Sequence, residues 1–171
     1  MTPDSVGPLS RPFPLHRATP AGVDAVVDTT EAERAALAAD LGLAGLARLE
    51  GRYRVSGGHD RVRVEGRVLA DLQQVCVVTL DPLPVEIDET VLVEFAAPAG
   101  DLPDEFEIPV DHDPPDALSG DTIDLGAITA EFLALALDPY PRKPGVSFEA
   151  PPESESASPF AGLSALRRDD P

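Results

Sequence analysis

Chemistry needs side chains of workable type and spacing, and this chain offers few. Its one cysteine, Cys76, excludes an internal disulfide and any multi-cysteine zinc site within one chain. Cys76 stands in the β-branched run Val75-Cys76-Val77-Val78-Thr79-Leu80 with no histidine nearby. A reactive thiol needs exposure and a positive neighbourhood, so the run reads as holding a buried, inert sulfur. His16, His59 and His112 fall in three separate loop-like places. Asp111-His112-Asp113 has metal-ligand residue types but no second histidine beside it, and reads as a solvated loop. Ser56-Gly57-Gly58 lacks the remainder of a phosphate loop and its lysine, and no nucleophile elbow occurs. No catalytic residue, metal site, cofactor or small-molecule substrate is expected, and an enzyme is the least supported class.

The arginines form the clearer pattern. Arg48, Arg52 and Arg54 point away from Leu49, Tyr53 and Val55 if residues 48–55 are extended. Arg61, Arg63 and Arg67 stand in the same relation to Val62, Val64 and Val68. Ser56-Gly57-Gly58-His59-Asp60 between the runs reads as a hairpin loop. Paired, the two strands gather six guanidiniums on one water-facing side, a ribbon that could fork onto phosphate oxygens. The plainer alternative is a solvated strand face, partly neutralised by Glu50, Glu65 and the acidic segment folding back. That segment, Asp81 to Asp124, holds fourteen Asp and Glu and no Lys or Arg. It is either a solvated loop or a surface that steers a basic partner into contact. Near the C-terminus, Phe160, Leu163 and Leu166 lie three apart, one apolar stripe on a short helix ending in Arg167 and Arg168. This stripe either meets a partner or docks back on its own domain.

Stepping from these residues to what must carry them, the chain has 171 residues at 18.0 kDa, enough for one domain with tails. Its formal charge of −18 argues against wholesale wrapping of nucleic acid or an anionic membrane. No signal peptide or membrane span is read, and a cytoplasmic protein is expected. The fold class expected is α+β: an antiparallel β-meander of about four to six strands with two main helices, plus a short C-terminal helix on a flexible linker. Boundaries are placed at 1–143 for the domain, 144–158 for a Pro/Glu/Ser-rich linker and 159–171 for the tail. Residues 1–28 are Pro-rich and extended, with a short edge strand at Phe13 and Leu15. Thr30 and Glu33 have capping-box spacing at the start of a helix that Gly42 can end. Val75–Leu80 reads as a strand buried on both faces, and Asp81-Pro82-Leu83-Pro84 as its break. Val85, Ile87, Val91, Val93 and Phe95 then alternate, before an acidic loop over 96–122 that pins Phe106 and Ile108. Asp124 is the expected N-cap of a largely buried second helix running to about Leu137.

Three segments resemble, in order and spacing, the YceD family of bacterial and plastid proteins, with the alphaproteobacterial branch most similar. They are Cys76–Pro82 leading to Phe95, Asp121–Gly126 with its helix and Asp138-Pro139-Tyr140-Pro141, and the tail from Ser158 to Leu166. The resemblance covers about residues 8–168. It implies a non-enzymatic factor that supports accumulation of 23S rRNA and assembly of the large ribosomal subunit, with no catalytic residue to carry over. Many relatives have a second cysteine where this chain has Thr79. Some carry a cysteine knuckle after the second helix, where this chain has Arg142-Lys143-Pro144-Gly145. Combined with the charge pattern, the expected partners are large-subunit rRNA precursor, through the six arginines, or ribosomal proteins. The alternative is a protein-only adaptor that holds a ribosomal protein or a nuclease and never touches RNA.

Overall fold

A computed structural model describes residues 7–58, 60–97 and 115–148. The fold is α+β. In chain order come β1 (Pro12–Pro14), a 3-10 turn (Leu15–Arg17), β2 (Val23–Asp28), α1 (Glu31–Asp40), β3 (Gly45–Gly57) and β4 (Arg61–Val75). They are followed by β5 (Pro82–Ala96), β6 (Asp116–Ala117), β7 (Thr122–Asp124) and α2 (Leu125–Ala136). Strands β2, β3, β4 and β5 pair antiparallel in sequence order as a meander, and β6 adds a two-residue parallel rung to β5. β1 and β7 make a separate antiparallel pair.

Alternation drives this architecture. Leu49, Tyr53 and Val55 of β3 and Val62, Val64 and Val68 of β4 are all buried, and they join Leu125, Ile128 and Leu133 of α2 in one core. α2 therefore covers one face of the sheet and leaves the other to water. Within the covered face, the Tyr53 ring lies against two glycines: a Cβ on Gly51 would meet it at 2.6 Å, and one on Gly66 at 2.7 Å. These strand glycines are the notch that admits the ring. The Thr129 hydroxyl donates to the Leu125 carbonyl at 2.7 Å, so Tyr53 donates its own proton to Thr129 Oγ1 at 2.7 Å. Burial pushes the Tyr53 hydroxyl up to about 12, keeping it a donor.

Two ionised groups fasten the N-terminal segment over the helices. Asp124 caps α2 by accepting from the Gly126 and Ala127 N–H groups at 2.9 and 3.1 Å. It also accepts from Arg11 N–H at 2.7 Å and from the Ser10 hydroxyl. Burial works to raise the Asp124 carboxyl, but these four donors outweigh it and hold the group below the usual range. Glu33 closes the capping box of α1 with Thr30 and receives a two-pronged bond from the Arg11 guanidinium at 2.7 and 2.9 Å.

The structure departs from the sequence expectations in four places. β2 is a full strand inside the segment read only as Pro-rich and extended. Val23–Asp28 pairs antiparallel with Glu50–Val55 of β3, and that pairing makes the extended segment a strand. The run Val75–Leu80 is not a strand buried on both faces. β4 ends at Val75, the chain turns over Cys76–Leu80, and Val77 and Leu80 are exposed. β5 already begins at Pro82, and Pro84 lies within it, because β5 is free on one side there and needs no donor from either proline. α2 is less fully buried than expected, since Leu135 is 71% exposed.

Glu33 gives this fold an acid limb. Its carboxyl is lowered from 4.5 to about 2, first by the Arg11 hydrogen bond and then by the Thr30 N–H. A depressed carboxyl stabilises the folded state above its unfolded pKa, and that contribution is lost as pH falls through the folded value. Thermal melting of the full chain should therefore drop between pH 4.5 and 2. Glu33→Gln should melt lower at pH 7 and lose part of that drop. An unchanged acid limb in the variant would show that another group sets it.

Candidate functional site

The six arginines share one face. The β3–β4 register sets Arg52 opposite Arg67, Arg54 opposite Glu65, Arg63 opposite Ser56 and Arg48 opposite Asp71. Arg61 lies opposite Ala96 of β5 on that same outer side. Their side chains are 47% to 67% exposed.

Each of them already holds a carboxylate. Arg52 Nε contacts Glu50 at 2.5 Å, and Arg48 reaches Glu50 at 3.0 Å and Asp71 at 3.9 Å. Arg54 pairs with Asp24 of β2 at 3.2 Å. Arg63 lies 2.6 Å from Glu65 and 3.6 Å from Glu94, and Arg61 lies 3.0 Å from Glu94. Arg67 pairs with Asp88 at 2.7 Å. Hydrogen bonds from Arg52, then Arg48, hold the Glu50 carboxyl below its ordinary value, and the same bond raises Arg52. Register places Asp24, Asp28, Glu50, Glu65, Asp71, Glu86, Asp88 and Glu94 on this outer face. Eight carboxylates thus meet six guanidiniums, and the face is two charges negative. Sequence reading named Glu50 and Glu65 as neutralisers, and referred to the acidic segment only as a whole. It missed Asp24 and Asp71. The signal was present in the even spacing of Glu86, Asp88 and Glu94, which matches the outward side of a strand in register with the arginines.

The turn after β4 is a second arrangement of chemical interest. Cys76 is fully buried. Its sulfur accepts the Lys143 N–H at 3.4 Å, the Val77 N–H donates to Pro141 O at 2.9 Å, and Lys143 Nζ pairs with Asp81 at 2.8 Å. The two segments where relatives are expected to carry cysteines, around Thr79 and around Arg142-Lys143, therefore lie together. A hydrogen bond from the Thr79 side chain, then the Lys143 N–H, lowers the thiol to about 6. The expectation of a buried sulfur agrees with this geometry, but burial here comes with donors that favour the thiolate. Leu80, at φ 59°, is 76% exposed at the edge of this turn. Among the described residues no cluster of His, Cys, Asp and Glu is grouped to hold a metal ion. His59, His112, Phe106, Ile108, Phe160, Leu163 and Leu166 lie outside the described residues.

Alkylation of the full chain followed by mass spectrometry tests the thiol. Donors to sulfur favour the charged form, so the rate should rise with a midpoint about 6, at low absolute speed because the atom is covered. Thr79→Val should move the midpoint upward toward the ordinary thiol range. A midpoint near 9 in the parent would refute the hydrogen-bond assignment.

No helix among the described residues is long and apolar enough to cross a membrane. No curated protein and no solved structure matches the chain. A family model, Large ribosomal RNA subunit accumulation protein YceD, matches residues 64–167. That match covers more than half of the chain, from β4 through the second helix to the tail, and takes in the buried cysteine and its turn. By this match the chain belongs to the YceD family, whose description assigns a role in accumulation of the large-subunit ribosomal RNA.

Proposed function

We propose that this chain is a non-enzymatic cytoplasmic factor that supports 23S rRNA accumulation and large-subunit assembly by holding a basic protein, such as a ribosomal protein, rather than by gripping RNA phosphates. The observation that carries this reading is the state of the arginine face. All six guanidiniums have carboxylate partners and the face is net negative. A phosphate backbone would have to displace those carboxylates against an overall charge of −18. A basic protein segment meets the opposite situation. Glu86 on the outer face of β5, and Glu89 of β5 and Asp116 of β6 on the other face, have no ion pair among the described residues, and they add negative charge along the β5 edge. Such a field speeds encounter with a cationic partner and selects against anionic ones.

One observation favours the second reading, in which Arg48, Arg52, Arg54, Arg61, Arg63 and Arg67 contact rRNA. Exposed ion pairs are worth only ~0–1 kcal/mol each, so a dense polyanion held in place by another contact could exchange for the carboxylates. The ribbon would then add phosphate contacts after docking rather than before it.

Crosslinking of the full chain in cells separates the two. The protein reading expects crosslinks from the β5 side to basic proteins, RNA crosslinks at background, and loss of co-sedimentation with large-subunit precursors in Glu86→Gln/Glu89→Gln. The RNA reading expects RNA crosslinks within 48–67, and weaker, less salt-dependent precursor association in Arg52→Ala/Arg63→Ala. RNA crosslinks there together with loss in the arginine variant alone would overturn the protein reading.

A further inference from the structure

A groove of about 770 Å³ runs between α2 and the far end of β5. Its floor includes the partly buried Phe95 and Phe132, and its α2 wall is left open to water at Leu135, which is 71% exposed. Asp116 and Glu131 stand on its rim, and no lysine or arginine lines it. An exposed apolar groove of this kind marks a contact site, and its rim selects for positive charge.

The chain itself carries a segment with the matching chemistry. Phe148 is the last described residue, and 23 residues follow it. Phe160, Leu163 and Leu166 are spaced for one side of a helix, and Arg167 and Arg168 follow directly. A helix of the ten residues from 159 to 168 would be ~15 Å long, against ~18 Å for the twelve residues of α2. The twelve steps from Phe148 to Phe160 span up to ~40 Å, enough to bring the stripe anywhere along α2. The family match extends to residue 167, so this segment lies within the matched range.

We propose that residues 159–168 dock in the α2–β5 groove of their own chain, with Phe160, Leu163 and Leu166 covering Phe95, Phe132 and Leu135, and Arg167 and Arg168 meeting the acidic rim. This assignment does not depend on which partner the sheet face meets.

Paired cysteines in the full chain test the placement, with buried Cys76 left in place. Under mild oxidation at low protein concentration, Leu135→Cys/Leu163→Cys should close an intramolecular disulfide about tenfold faster than Leu80→Cys/Leu163→Cys, reflecting higher effective concentration. Leu80 is exposed at the opposite end of β5, which makes it a comparably reactive control. Equal rates for the two pairs would overturn the proposal, as would disulfides formed only between molecules, which would assign the groove to the tail of a second copy. A second measurement uses no new thiol. Leu163→Asp should shift the methyl resonances of Leu135 relative to the parent, and unchanged resonances would assign the groove to another occupant and overturn the proposal.

Discussion

The sheet has cover on one side only, and most of the molecule's surface chemistry follows from that. α2 takes the inner face, and the outer face of β2 through β5 meets water along strands of up to 15 residues. Every second position on four neighbouring strands must then be soluble, and like charges directly across from one another would repel. Arginines and carboxylates satisfy the first demand, and ion pairs to neighbouring carboxylates offset the repulsion where Arg52 faces Arg67. The ion pairs of Asp24 with Arg54, and of Glu65 and Glu94 with Arg63 and Arg61, are what a half-covered, highly charged sheet requires before any partner is considered. For that reason the sign of the surplus, rather than the presence of arginine, carries the functional reading.

The inner face and the N-terminal fastening show how few groups set this arrangement. Arg11 reaches Glu33 on α1 and the Asp28 carbonyl at the end of β2, while its backbone N–H serves Asp124 at the start of α2. One residue from the Pro-rich leader thus joins both helices and an edge strand. Its hydrogen bonds connect positions 17, 22 and 113 residues apart, so no local pattern announces them.

This separates what could be read in the sequence from what could not. Period-two alternation identified the β3–β4 hairpin and the side on which its arginines lie, because burial of Leu49, Tyr53, Val62 and Val64 leaves the strands no other orientation. Cap chemistry located both helix starts, since Thr30-x-x-Glu33 and Asp124 act on neighbouring N–H groups. The partners of the arginines were less visible. Asp24 comes from a strand whose existence depends on its pairing, and Asp71 from a position shifted by the bulge between Leu46 and Arg48. Val75–Leu80 misled for a related reason: β-branched residues favour strand, but Leu80 at positive φ and bonds from Cys76 to Asp81 and Lys143 turn the chain there. The apolar stripe read at Phe160, Leu163 and Leu166 lies outside the described residues.

The aromatic notch has a bearing on how the molecule is made. A single ring seated over Gly51 and Gly66 admits one alignment of the two strands, since a shift by two residues would put a side chain where the notch must be. The notch is complete once residue 66 has been synthesised, whereas its hydroxyl partner Thr129 lies 76 residues after Tyr53. As the polypeptide emerges from its N-terminus, strand alignment is fixed locally and early. The arriving helix then finds a landing point already cut, with a phenol held ready to greet it.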